Sequence, residues 1–293
     1  MIVFTLLLPA LAHAQPFGGI GARAEGMGGA FVAVADDATA VYWNPAGVAT
    51  GATFDFQISR GSAAPGSSLF IGAAMPVVGL SHYRAHTARA SVDRQNGGSG
   101  RVEIRPLATT NTGITFVQTI VSGLVVGTTA RVVRGGIKPF ETRTTFDLDA
   151  GALLAIGSAR LGVTARSLRE PEFEDESGGM RLKRQVRAGI AWAPRSLPSG
   201  VHGPFSVAFD ADLTTASGLL DDMRMAAIGG EYWLAGGRLG GRAGFRVNTL
   251  NTDYKAFSGG LTVKLQRSVL AEGQMTKPTE GQNEWNITLR VTF

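Results

Sequence analysis

Gly19-Ile20-Gly21-Ala22-Arg23-Ala24 has the glycine spacing of a relaxed dinucleotide-binding loop. In such a loop the glycines let the backbone close on a pyrophosphate at a helix N-terminus. That chemistry needs a strand before the loop, a helix after it and an acidic residue about 20 positions on. Here the loop follows an apolar leader, so its glycines read as allowance for tight turns and close packing. Asp36-Asp37 is a carboxylate pair with no histidine near it. Such oxygen-only ligands suit calcium better than a transition metal, and a capping or salt-bridging pair is the simpler reading. His13, His82, His86 and His202 are scattered, although His82 and His86 share one face of an expected strand. No serine sits in a nucleophile elbow and no acid–base pair stands out. The acidic loop 170–176 precedes a basic run from Arg181 to Arg187. It reads as a solvated loop, with a divalent-cation or lipopolysaccharide contact as the alternative. The pattern predicts no enzyme, no metal site and no cofactor.

The composition fits that absence of chemistry. Of the 293 residues 44% are apolar, only 17% are charged, and 40 are glycine. Soluble domains carry about 25% charged residues. After the N-terminus no run of 18 apolar residues occurs, which excludes ordinary membrane helices. A membrane β-barrel fits, because outward apolar and inward polar residues average to a neutral hydropathy. With no cysteine there is neither a disulfide framework nor a thiolate site. The net charge of +5 is spread in ones and twos, so no nucleic-acid partner is expected. Residues 1–14 read as a signal peptide, with an apolar core at Ile2–Leu8 and an Ala12-His13-Ala14 cleavage site before Gln15.

From Thr53 onward apolar and polar residues alternate in segments of about ten, the length that crosses a bilayer at a strong tilt. The last segment is the clearest. Trp285, Ile287, Leu289, Val291 and Phe293 alternate with Asn286, Thr288, Arg290 and Thr292. About fourteen strands are expected, with twelve as the alternative, at 52–60, 67–76, 78–87, 111–121, 123–134, 143–156, 159–169, 181–193, 204–215, 223–235, 238–249, 254–265, 268–277 and 283–293. Short turns near Val77, Ser122, Ser158, Gly236 and Arg267 would be periplasmic. Longer connections, 88–110 among them, would face outward. Two connections break that rule, a long turn at 194–203 and a short outer loop at 250–253. The fold class is therefore an all-β transmembrane antiparallel barrel over 52–293, with residues 15–51 as a plug in its lumen.

Strand parity assigns an inward charge network. It comprises Asp147, Asp149, Asp210, Asp212, Arg238, Arg242, Arg246 and Arg290, together with Arg160, Arg166, Arg187 and Lys264. Buried charges persist only when paired or hydrated. The plug carries Arg23, Glu25, Asp36 and Asp37 to answer them.

The plug motifs Gly21-Ala22-Arg23-Ala24, Gly26-Met27-Gly28-Gly29-Ala30, Ala35-Asp36-Asp37-Ala38 and Trp43-Asn44-Pro45-Ala46-Gly47 resemble the hatch of the FadL-like outer-membrane barrels. Asp147–Gly151, Arg166–Pro171 and the modest length are closer to the PorV/PorQ-like branch. The resemblance implies fourteen strands, a hatch motif at Asn44-Pro45-Ala46, and uptake of hydrophobic molecules with sideways exit through the wall. A ligand cavity would be lined by Phe17, Met27, Phe31, Tyr42 and Trp43. The aromatic end at Phe293 resembles the signal read by the barrel-assembly machinery. Expected partners are outer-membrane lipid, that machinery, and either hydrophobic small molecules or secreted proteins. Three roles follow: passive uptake, a non-transporting docking barrel for secretion, or a structural outer-membrane protein.

Overall fold

The computed structural model describes residues 18–63, 66–93, 101–136, 141–173, 180–193, 205–217, 222–250, 254–279 and 281–293. The expected signal peptide, Phe17, His13, His202 and the turn 194–203 lie outside them.

Fourteen antiparallel strands close a barrel. They are β1 (Asp55–Ala63), β2 (Gly66–Met75), β3 (Val78–Asp93), β4 (Arg101–Val121), β5 (Leu124–Gly136), β6 (Arg143–Ile156), β7 (Ala159–Arg166), β10 (Gln185–Trp192), β11 (Phe205–Asp212), β14 (Met225–Leu234), β15 (Leu239–Asn248), β16 (Lys255–Lys264), β17 (Val269–Pro278) and β18 (Glu284–Thr292). The numbers between belong to two small hairpins, β8 (Glu172–Phe173) with β9 (Met180–Arg181), and β12 (Ala216–Ser217) with β13 (Asp222–Met223). The seam is β1 against β18, in register from Asp55 opposite Thr292 to Ser62 opposite Trp285. Closure leaves no unpaired edge in the wall.

The alternation that predicts these strands also fixes their faces. On β18, Ile287 and Leu289 are exposed while Asn286 and Thr288 are buried. The same inversion runs round the wall: Ile58, Leu80, Phe116, Val207, Ile228, Phe257 and Leu261 face outward, and Gln57, Thr115, Thr129, Asp147, Asp210 and Thr262 face inward. A water-soluble sheet would place these sets the other way round. An apolar exterior around a polar interior is what a lipid solvent selects.

Three expectations need correction. Residues 88–93 and 101–110 of the expected loop are strand: β3 and β4 stay paired from Val78 opposite Phe116 out to Asp93 opposite Arg101. Above a membrane the outward face no longer needs apolar residues, so alternation fades while backbone pairing continues. Arg238 does not face the lumen. It is exposed in the turn 235–238, which breaks the parity shared by Arg242 and Arg246. Lys264 holds inward parity with Thr262, but it ends β16 at the rim and is exposed. The short turns at 76–77, 122–123, 157–158, 235–238 and 266–268 all lie at one end of the barrel, where they were expected.

The N-terminal segment lies inside this wall. It contains α1 (Ala22–Gly26), α2 (Ala40–Trp43) and a 3-10 turn over Pro45–Thr50. Every residue from 20 to 48 is buried. Its bonds reach strands spaced round the ring: Ala22 N donates to Thr288 Oγ1 of β18 (3.1 Å), and Asn44 Nδ2 donates to the Ala152 carbonyl of β6 (3.1 Å). Ser258 Oγ of β16 donates to the Gly26 carbonyl (3.2 Å). The segment leaves the lumen at the short-turn end and passes directly into β1.

Candidate functional site

The enclosed segment and its wall contacts form the most organised polar region of the molecule. Three devices hold it: paired glycines, charge clusters and one asparagine.

The glycines are cross-strand partners in the wall. Gly127 pairs with Gly151, Gly162 with Gly189, and Gly229 with Gly244. Each pair removes two side chains from the same spot and leaves a dent one backbone deep. Pro45 and Ala46 lie over Gly127, Asn44 over Gly151, Val32 and Ala33 over Gly162, and Met27 and Gly28 over the Gly229–Gly244 pair. A Cβ at Gly229 would collide with the Met27 carbonyl, and one at Gly151 with Asn44 Oδ1. At Gly127, Gly162, Gly229 and Gly244 main chain packs on main chain, and at Gly151 the Asn44 side chain fills the dent.

The charge clusters match lumen residues to segment residues. Arg23 is the centre of the largest. It meets Asp36 at 2.5 Å, Asp37 at 3.3 Å and Glu231 of β14 at 2.9 Å. Arg242 approaches Glu231 (3.5 Å) and Glu272 (3.7 Å). Arg290 meets Asp55 at 2.6 Å and comes to 4.0 Å from Asp37. Burial works against the Arg23 charge, but Asp36, Glu231 and Asp37 outweigh it and hold its pKa well above the ordinary value. A second cluster joins Glu25 to Arg246 (3.1 Å), which also meets Glu284 (2.5 Å). Burial lifts the Glu25 carboxyl above the usual carboxylate range, with Arg246 pulling the other way. Asp210 accepts two backbone hydrogen bonds, from Phe31 N (2.7 Å) and Val32 N (2.8 Å). Arg187 pairs with Asp212 (2.6 Å) and donates to the Gly29 carbonyl (3.2 Å).

Asp147 and Asp149 belong to a cluster within the wall. Both bind Arg131, at 2.5 and 3.0 Å, and Arg131 also donates to Asn111 and Tyr83. Tyr83 stands edge-on to Tyr42, and Arg166 lies over the Tyr42 ring at 3.7 Å. This cluster thus supports the segment from the side.

Asn44 is the third device. Its Nδ2 donates to the carbonyls of Val32 (2.9 Å) and Ala152 (3.1 Å), and its Oδ1 accepts from Ala46 N (3.2 Å). One side chain thereby caps the 3-10 turn that Pro45 begins, ties the segment to itself and ties it to the wall. Asn44→Ala strips all three bonds from a fully buried site. The expected cost is about 1–3 kcal/mol, because buried carbonyls lose their donor. Urea titration in lipid vesicles measures it, and an unchanged midpoint would contradict this role.

The described residues expected to line a ligand cavity pack together. Met27, Phe31, Tyr42 and Trp43 are buried against one another, with Phe31–Trp43 centroids at 6.0 Å and Tyr42–Trp43 at 5.5 Å, both edge-on. Trp43 Nε1 donates to the Ile20 carbonyl (3.0 Å). Ala46 is buried in the same core. A small cleft between the charged Arg23, Asp36, Arg160 and Glu231 and the apolar Val34 and Ala191 has space of about 10 Å³, about that of one water. Among the described residues no cluster of His, Cys, Asp and Glu could hold a metal.

Arg131, Glu231, Asp55 and Tyr83 were not singled out from the sequence. Parity with Thr129 marks Arg131 as inward, but its partners emerge only once β5 and β6 are in register. Asp55 is inward by parity with Gln57 and Ser59, but its partner Arg290 emerges only when β1 closes on β18.

No protein-family model matches the sequence, and no curated protein matches it. Solved structures do. The CymD monoaromatic hydrocarbon channel aligns over 94% of this chain and 98% of its own, at 12% identity and TM-score 0.69. A Pseudomonas aeruginosa FadL homologue aligns over 96% and 100%, at 10% identity and TM-score 0.65. The Pseudomonas putida toluene transporter TodX aligns over 96% and 98%, at 11% identity and TM-score 0.64. At these identities the likeness is one of fold.

Proposed function

We propose, from the premise that this chain has the fold of the FadL-like outer-membrane barrels, that it admits hydrophobic small molecules passively across a bacterial outer membrane. The class we favour is long-chain fatty acid-like, leaving sideways through the wall. The observation that carries the reading is the enclosed segment itself. It is a folded stopper seated on three glycine pairs, inside a wall whose outer face is apolar. The channel names of the structural neighbours support the same class and favour no enzymatic role. In this reading Asn44-Pro45-Ala46 is the hatch motif and Met27, Phe31, Tyr42 and Trp43 part to admit ligand. Phe293, exposed beside Phe54 at the seam, is the residue offered to the barrel-assembly machinery.

A second reading has its own support. The dense packing of Tyr42 and Trp43 and the long β3–β4 hairpin favour a PorV-like docking barrel for secreted proteins. A tether separates the two. The chain has no cysteine, so Ala22→Cys with Thr288→Cys joins segment to wall without a competing thiol. The oxidised form is expected to lose uptake of labelled fatty acid and to regain it with reductant. Absence of uptake in the reduced form as well would favour the docking role, and unchanged uptake in the oxidised form would show that the segment need not move.

A further inference from the structure

The outer face of β1 to β4 breaks the apolar exterior at one place. Arg60 of β1 lies opposite Leu69 of β2, and Leu69 lies opposite Arg84 of β3. Residues directly opposite share a face, so two exposed guanidinium groups flank one leucine on the lipid side. The two strands are about 10 Å apart, twice the spacing of neighbours. His82 stands below Arg84 on the same face, with Nδ1 at 2.8 Å from Thr112 Oγ1. His86 stands above it, and its Nδ1 is buried without a hydrogen-bond partner. No carboxylate among the described residues pairs with Arg60 or Arg84. Elsewhere in the molecule the arginines of the lumen are answered by acids, so this pair is unlike them.

A lipid-facing arginine is costly in hydrocarbon. It is tolerated where an anion meets it, and phosphate matches the guanidinium fork with two parallel hydrogen bonds. The short turns lie at the opposite end of the barrel, so the patch opens toward the outer leaflet. We infer that Arg60 and Arg84 form a binding site for the phosphorylated headgroup of an outer-leaflet glycolipid. The headgroup phosphate bridges the two guanidinium groups over Leu69, and acyl chains lie along Ile58 and Ile71 beneath. His86 supplies a ring nitrogen at the upper edge.

This rests on the membrane placement proposed above and not on transport. A chain that moves no fatty acid yet binds the glycolipid leaves it standing. The test is native mass spectrometry of the purified full chain with three added lipids: bisphosphorylated lipid A, its dephosphorylated form, and phosphatidylglycerol. The phosphorylated glycolipid is expected to be retained at least about tenfold better than its dephosphorylated form, as a charge-assisted bond predicts, and better than phosphatidylglycerol, whose phosphodiester has less charge and fewer free oxygens to bridge two guanidinium groups. Arg60→Ala with Arg84→Ala should abolish that preference while heat-modifiable gel mobility stays unchanged. If the alanine pair does not fold, Arg60→Gln with Arg84→Gln makes the same comparison. Retention of the preference in either folded variant would overturn the site. So would equal retention of the dephosphorylated lipid, or of phosphatidylglycerol.

Discussion

Gly229→Val is expected to drive the N-terminal segment out of the lumen while the barrel stays closed. The position lies mid-strand in β14, opposite Gly244, and the Met27-Gly28 backbone rests on both. Even a Cβ would overlap the Met27 carbonyl, and Gly244 offers no second direction of escape because it touches Met27 and Gly28 too. Overpacking a rigid interior costs about 1–3 kcal/mol when side chains can shift. Here backbone meets backbone, and the ladder on either side fixes the wall. The segment is the part free to move. Its release strips the tie between Glu25 and Arg246 on one side and between Phe31 and Asp210 on the other. The measurement is single-channel conductance in planar bilayers, with protease sensitivity of residues 20–48 as the second readout. We expect a persistently open conductance and cleavage of the segment, with heat-modifiable mobility retained. A closed, protected variant would show that the glycine pairs are not the seat.

Arg23→Met should have the largest effect on stability. The substitution keeps the length of the stem and removes the charge that Asp36, Asp37 and Glu231 share. Breaking a buried pair from one side costs about 3–5 kcal/mol, because the carboxylates remain without their cation. All three carboxylates keep a weaker neighbour: Arg242 lies 3.5 Å from Glu231, Arg160 lies 3.9 Å from Asp36 and Arg290 lies 4.0 Å from Asp37. The expected loss therefore sits at the lower end of that range. Adding Glu231→Gln removes one of the excess negative charges, leaves Arg242 with Glu272, and should recover part of it. Urea unfolding in vesicles gives both values. If the double variant were no better than Arg23→Met alone, Glu231 would not be part of this cluster's energetics.

The wall was legible in the sequence because a membrane imposes one rule on every strand. The β18 pattern from Trp285 to Phe293 states the rule in full, and the short turns mark where it resets. The rule also places Asp147, Asp149, Asp210, Arg242, Arg246 and Arg290 inward. It says nothing about who meets whom. Arg131 and Asp147 are 16 positions apart in the chain and become partners only through the β5–β6 register. Arg23 and Glu231 are 208 apart. The aromatic residues Phe31, Tyr42 and Trp43 could be read as cavity lining or as core, since apolar side chains carry no mark that separates the two. In the structure they pack against one another. The extent of β3 and β4 was invisible for a different reason: beyond the bilayer, pairing leaves no periodic trace in residue type.

The pairing of segment charges with wall charges bears on what an emptied barrel would be. Without the segment, Arg187, Asp210, Glu231, Arg242 and Arg246 would stand around an open lumen and draw in water. Such a pore suits ions and small polar solutes and repels a greasy molecule. An apolar cargo would find its compatible surface on the segment, along Met27, Phe31, Tyr42 and Trp43, and not in the space the segment vacates. The stopper would then be the greased path, and a barrel that ejected it altogether would leak ions and lose its cargo.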